Sequence, residues 1–366
     1  MIQKHKYLTL DAIRGVAAIF VVIRHLGDFF GGIQFPHSHL AVDLFFVMSG
    51  FVLSAAYDKD LVSGKLSTNN FLRIRAIRLY PLYFLGTVLF FIGELLLSVF
   101  GSLHGSIHHP ATFNVDLLFE VLLGLLLIPS PVPGISLFPL NGPSWSIFFE
   151  MIANGFYARF RAYLTNKMML YVLGVSGGGL AVSVFLMTNL DFGNTWQNSC
   201  GGLPRVFYSF TAGLMVYRIR QNIRIKIQFN NLNTLLVLSL VILLLGFPAT
   251  LYTELYELMA VLVIFPILVL TASFVEPTPN AKLGKIFAAM GLTSYAIYIL
   301  QAPFIWAFST IFVRFKNTSI LWPGVIAVVV LFALSLSLDL FYDKPARRWL
   351  KNKYMEAPSK AALFQK

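Results

Sequence analysis

Arg14 and His25 stand eleven residues apart in the first apolar stretch of the chain, LDAIRGVAAIFVVIRHLGDFF. At ~100° per residue this spacing closes to within ~20° of three whole turns. A helix therefore carries both side chains on one face, ~16 Å apart along its axis. Ionisable groups at bilayer depth are costly, so they face the protein interior and mark working sites. An imidazole titrates near neutrality and can take a proton from a hydroxyl and give it back. Such a base works best when a carboxylate orients it. Asp43, near the outer end of the next apolar stretch, lies at a compatible depth. The simpler alternatives are a packing histidine and an Asp43 that only complements its own helix terminus. The face shared with Arg14 weighs against the first.

Three further segments carry groups of interest. FLRIRAIRLYPLY places Arg73, Arg75 and Arg78 ahead of an apolar span. Guanidinium groups bind phosphates in bidentate fashion; contact with anionic lipid headgroups is the plainer alternative. Pro81 in the same segment is expected to open or kink the span. GPSWSIFFEM puts Trp145 at an interface and Glu150 deep enough in a span to need a partner. VDLFFVMSGFVLS holds Ser49 and Gly50 mid-span, where small residues let helices approach closely. His104, His108 and His109 form a short cluster with no third-element ligand in view, so no metal site is expected.

The elements that position these groups follow from composition. The chain is 57% hydrophobic and only 12% charged, where soluble domains carry roughly 25% charged residues. Apolar runs recur from end to end without strand-like alternation, which excludes a β-barrel. The reading is an all-α, polytopic integral membrane bundle. Net charge is +12, but the cations fall in short loops, which points to membrane topology and anionic partners and not to nucleic acid. The single Cys200 excludes an intramolecular disulfide. The first span is read as retained and not as a cleaved signal.

Applied along the chain, the positive-inside rule gives about ten crossings with both termini cytoplasmic. The spans are expected near 12–31, 41–57, 79–100, 145–160, 168–189, 204–217, 232–250, 256–275, 286–308 and 319–341. The run at 117–129 is too short to cross and is read as re-entrant or interfacial. Arg314 and Lys316 fall outside, the one violation of the rule. Residues 1–345 form one transmembrane domain and 346–366 a basic cytoplasmic tail.

Taken together, LDAIRGVAAIFVVIRH, VDLFFVMSGFVLS, FLRIRAIRLYPLY and GPSWSIFFEM resemble the family-three membrane acyltransferases, polytopic bacterial O-acyltransferases that modify polysaccharides. The family's paired Arg and His match Arg14 and His25. Its Arg-rich stretch before Tyr-Pro matches Arg73, Arg75, Arg78, Tyr80 and Pro81, and its Trp-Ser motif followed by Glu matches Trp145, Ser146 and Glu150. GLTSYAIYILQAP and FYDKPARRWL are similar to its late spans. The chain departs from the pattern at Gln301, where the family often has His, and at Asp343, where it often has Glu.

The resemblance implies a multi-pass protein of the inner (plasma) membrane, expected to be a stand-alone member without an appended extracytoplasmic domain. It moves an acyl group, acetyl in the first instance, from cytoplasmic acyl-CoA to a hydroxyl of an extracytoplasmic carbohydrate or glycolipid. No metal is implied. Arg73, Arg75 and Arg78 are expected to hold the phosphates of acyl-CoA, and Arg14 to line the path to the thioester. His25 is the expected base or acyl carrier, oriented by Asp43. Glu150 is assigned to the catalytic group, helping Trp145 place the acceptor; Ser146 and Tyr83 complete the acceptor site. The competing reading is a proton-coupled carrier of a sugar or lipid-linked substrate, which buried charges would also suit.

Overall fold

The computed structural model describes residues 6–100, 115–132, 136–279 and 282–355. Helix α1 (Leu8–His25) is followed by two short 3-10 turns, Gly27–Phe29 and Pro36–Leu40. Then come α2 (Ala41–Val62), α3 (Thr68–Phe100), α4 (Val115–Leu125), α5 (Ser144–Phe160), α6 (Asn166–Met187), α7 (Ser199–Asn222) and α8 (Asn231–Gly246). α9 (Thr253–Met259) runs into α10 (Phe265–Ala272), and α11 (Lys282–Ile311) precedes α12 (Trp322–Leu338) and α13 (Lys344–Tyr354). Two-residue strands β1 (Gln228–Phe229) and β2 (Val275–Glu276) pair in parallel at one end of the bundle. Among the described residues sheet is otherwise almost absent, in keeping with an all-α membrane bundle.

A helix stands at each position where a crossing was expected. Among the described residues six segments are long and apolar enough to span: Pro36–Val62, Thr68–Leu96, Asn166–Met187, Thr253–Ala272, Lys282–Ile311 and Trp322–Tyr354. α8 is a shorter apolar helix. The remaining three, α1, α5 and α7, carry Arg14, Glu150 and Arg205. Their charges dilute their hydropathy because they face the interior. α4, at 11 residues, is ~16 Å long and too short to cross, in keeping with the expected re-entrant or interfacial segment. The His104–His109 cluster lies outside the described residues.

Several boundaries differ from the sequence reading. α1 stops at His25 and does not continue to residue 31. Its last turn holds Arg24, a cation that suits the negative end of the helix dipole. α3 starts at Thr68, so Arg73, Arg75 and Arg78 lie inside it and Pro81 is interior. The helix continues through the proline, and Tyr342 donates its hydroxyl to the Pro81 carbonyl at 3.2 Å, tying α3 to the turn after α12. The basic segment after 345 begins as helix, with Arg347 held by Asp339 at 3.0 Å and by Asp343. π-turns at Ala260–Ile264 and Asp339–Asp343 each precede a proline, Pro266 and Pro345, whose missing N–H breaks the regular ladder. The topological exception is compensated: Lys316 pairs with Asp28 at 3.2 Å, and the Asn317 N–H bonds the Asp28 carbonyl at 2.8 Å.

α1 is the central element, contacting α2, α8, α10, α11 and α12. Its first turn is tethered by the Leu8 N–H to the Glu276 carboxylate at 3.0 Å, and Thr9 donates to the Val275 carbonyl. α2 and α7 cross at two glycines. A Cβ on Gly50 would stand 2.0 Å from the Phe210 carbonyl oxygen, and one on Gly213 would stand 2.0 Å from that of Val47. Backbone thus packs on backbone, the arrangement small residues permit between membrane helices. This crossing brings Asp43 on α2 against Arg205 on α7.

Candidate active site

Three adjoining cavities run along α1. The first holds about 200 Å³ and is lined by Arg14 of α1, Ser49 of α2, Arg75 and Arg78 of α3, Glu150 of α5, and Tyr295 and Tyr298 of α11, among others. The second, about 130 Å³, is lined by His25, His39, Trp145, Arg205, Tyr298 and Gln301. The third, about 710 Å³, is bounded by Arg24, His25, Asp28, Gln34, Asp191 and the 317–319 loop. The first and second share Val42 and Tyr298, and the second and third share Arg24, His25, Asp191 and Asn194. Arg14 and His25 therefore each face a hollow, as their common helix face requires, and the two hollows meet at Val42 and Tyr298.

The first cavity is cationic. Arg75 Nη2 donates to Glu150 Oε1 at 2.8 Å, and the Ser49 hydroxyl donates to the same oxygen at 2.5 Å. The nearest carboxylates to the other two guanidiniums are more distant: Asp343 lies 3.7 Å from Arg78, and Asp11 lies 3.7 Å from Arg14. Beyond hydrogen-bond reach, these two retain donors for an anionic guest. Arg75 and Arg78 lie three residues apart and share a helix face. Arg73, ~160° around the helix from Arg75, is exposed and takes no part in the cavity. The cluster is therefore two arginines of α3 plus Arg14, and not the three consecutive arginines of the sequence reading.

His25 is exposed towards the second and third cavities. Beside it, Arg24 and Asp191 form an ion pair. Asp43 does not orient this ring. Its carboxylate is fully buried and taken by Arg205: Nε lies 2.9 and 3.0 Å from the two oxygens, and Nη2 lies 2.7 Å from Oδ2. The other Arg205 donors go to the Phe192 carbonyl at 2.8 Å and the His39 carbonyl at 3.0 Å. The guanidinium lies 5.3 Å from the centre of the Trp145 ring. At this burial an unpaired charge is untenable, and Arg205 is the partner that removes the problem. The physical reason Asp43 misses His25 is that α7, 162 residues later in sequence, delivers a stronger partner.

The remaining expected residues divide between the compartments. Trp145 lines the His25 cavity, where an acceptor was expected. Ser146, its neighbour, faces the arginine cavity instead, 2.8 Å from the Tyr298 hydroxyl. Glu150 is on the arginine side, held by Arg75, and not with the acceptor. Tyr83 is outside the route. It is buried, donates to the Gly124 carbonyl of α4, and lines a separate small cavity with Glu120. Gln301 lines the His25 cavity and donates to the Tyr298 carbonyl at 2.9 Å.

Two features escape the sequence reading. Arg205 lies mid-helix in GGLPRVFYSF, and a lone guanidinium in an apolar stretch is itself a signal. His37 Nδ1 and His39 Nε2 each lie 3.0 Å from Glu257 Oε1, and the Leu190 N–H donates to Glu257 Oε2 at 2.6 Å. This buried knot ties the turn before α2 to α9. Among the described residues no group of three His, Cys, Asp or Glu could hold a metal ion.

Residues 7–340 match the acyltransferase domain of acyltransferase family 3. A curated relative, Protein 2 in picA locus of Rhizobium radiobacter, is 42% identical over 190 residues, covering 49% of this chain and 94% of the relative. No solved structure matches.

Proposed function

Since the chain belongs to acyltransferase family 3 and is a multi-pass membrane acyltransferase, we propose that it is an inner-membrane enzyme that carries an acyl group from cytoplasmic acyl-CoA to a carbohydrate hydroxyl at the outer face. The observation that carries this reading is the placement of His25 and Arg14 on one helix, in cavities that adjoin through Val42 and Tyr298. A carrier would have no use for a cationic cavity on one side and an imidazole facing a separate hollow on the other.

The chemistry of the donor cavity fits an acyl-CoA. Arg14 and Arg78 have donors free of close carboxylates, and Arg75 is steadied by Glu150. At about 200 Å³ it is smaller than common ligand pockets of roughly 300–1,000 Å³, so it seats the phosphates against its arginines, leaves the nucleoside to the cytoplasmic mouth and lets the uncharged arm extend towards His25. His25 takes the proton of the attacking hydroxyl. The hydroxyl oxygen bonds to the carbonyl carbon, the carbon–sulfur bond breaks, and His25 returns the proton to the departing thiolate. Alternatively the imidazole nitrogen bonds to the carbonyl carbon, the carbon–sulfur bond breaks and the thiolate leaves with the ring proton; the hydroxyl oxygen then bonds to the carbonyl carbon, the carbon–nitrogen bond breaks and the freed ring takes the hydroxyl proton. Trp145 offers its ring to a sugar.

The test is mass spectrometry of envelope glycans from a strain lacking the gene, complemented with wild type or His25→Ala. Wild type restores the mass increment of an acyl ester. His25→Ala, present in membranes at wild-type level, does not; full restoration by that variant rejects the assignment.

A further inference from the structure

Tyr298 stands where the two sides meet. With Val42 it is the wall common to the arginine cavity and the His25 cavity. It is 6% exposed. Its hydroxyl is 2.8 Å from the Ser146 hydroxyl and 3.3 Å from the Pro143 carbonyl, and Ser146 in turn bonds that carbonyl at 3.0 Å. The ring edge packs on Phe45, with centroids 5.7 Å apart. Behind it, the Gln301 amide holds its backbone carbonyl. The side chain is thus held at its hydroxyl by Ser146 and the Pro143 carbonyl and at its ring by Phe45.

We propose that Tyr298, with Val42, is the partition that sets which acyl groups reach His25. This rests on the donor reading above. An acyl group presented from the Arg14 side must pass or reach around the phenol ring to meet an imidazole ~16 Å further along α1. The arm that carries the thioester threads past this ring, and the room left beyond it for the acyl group is the His25 cavity of about 130 Å³, which Tyr298 bounds and which takes a short acyl group in preference to a longer one. Ser146 is a positioning residue here: it holds the phenol and touches no acyl group. The partition also explains why Trp145 and Ser146, adjacent in sequence, face different cavities: the wall runs between them.

The test compares acetyl-CoA with butyryl-CoA as donors for purified wild type, Tyr298→Phe and Tyr298→Ala, with the host's envelope glycan fraction as acceptor and thiol release as the readout. Each methylene excluded by a well-shaped wall is worth ~10–200-fold. Wild type is expected to prefer acetyl. Tyr298→Ala should raise the butyryl-to-acetyl ratio of kcat/KM by at least ~10-fold, whereas Tyr298→Phe, which keeps the ring, should keep the acetyl preference. A general loss of folding would lower both rates and leave their ratio, so the ratio isolates the partition. If Tyr298→Ala does not fold, Val42→Ala is read in the same way. An unchanged ratio in a folded, active truncation overturns the proposal while leaving the donor reading in place. Absence of thiol release from either donor by wild type overturns both.

Discussion

Removing the Asp43 carboxylate separates the two roles a buried aspartate near this route could have. In the structure it neutralises Arg205, with three N–H···O contacts between 2.7 and 3.0 Å, at 0% exposure for Asp43 and 1% for Arg205. Asp43→Ala leaves a guanidinium with two carbonyl partners and no counter-charge. Breaking a buried pair from one side costs about 3–5 kcal/mol. The double variant Asp43→Leu/Arg205→Met removes both charges and should recover most of that loss, since a buried pair is often replaceable by apolar groups. The assay is unfolding in detergent or mixed micelles for wild type, Asp43→Ala, Asp43→Leu, Arg205→Met and the double variant, so that the last three with wild type close a cycle that yields the coupling. A second readout is the pH profile of acyl transfer by Asp43→Asn. The account predicts lower stability with the midpoint of the profile in place, because His25 has no bond to this carboxylate. Equal stability of Asp43→Ala and wild type, or a displaced midpoint in a stably folded Asp43→Asn, would refute the reasoning and return Asp43 to the side of His25.

Arg75→Ala should raise the KM for acetyl-CoA by ~10-fold or more, the loss expected for a charged hydrogen bond, whereas Arg73→Ala, exposed and off the cavity, should leave it near wild type; steady-state kinetics on the two variants decide this. Gly213→Ala drives a Cβ to 2.0 Å from the Val47 carbonyl oxygen, so a loss of at least ~1–3 kcal/mol is expected from overpacking against backbone, visible as a lower unfolding midpoint. Burial pushes the Glu276 carboxyl up to about 7, partly offset by the N–H groups of Leu8 and Thr9. The folded state then binds the proton more tightly than the unfolded one. Stability from this group is complete below about 4.5 and is lost as pH rises through about 7; Glu276→Gln should flatten that slope in unfolding measured across the range.

Much of the architecture is written in local pattern. Apolar runs mark the helices because each must bury or shed its backbone in lipid, and the Arg14–His25 spacing predicts a shared face because helical geometry alone sets it. Helix ends are less legible. Gly27 just past His25 weakens another turn, and Asp28 meets Lys316 and the Asn317 N–H, nearly 300 residues on, contacts that no local pattern announces. Partner choice is the least legible. Asp43 at the depth of His25 is a sound local argument, and it fails because Arg205 arrives from α7. Glu150 is likewise drawn to Arg75 of α3. Arg73 shows the opposite case, for its separation from Arg75 by two residues already places it on another side of the helix.

The central claim is that His25 links a donor on the side of the termini to an acceptor on the other. The direct measurement uses proteoliposomes oriented with the termini inside, loaded with radiolabelled acetyl-CoA, with the host's envelope glycan fraction outside. Wild type should place label on the external glycan in proportion to trapped acetyl-CoA, and folded His25→Ala should place none. Label on the glycan at the wild-type rate with His25→Ala, or transfer only when acetyl-CoA and glycan share one side, would contradict the account.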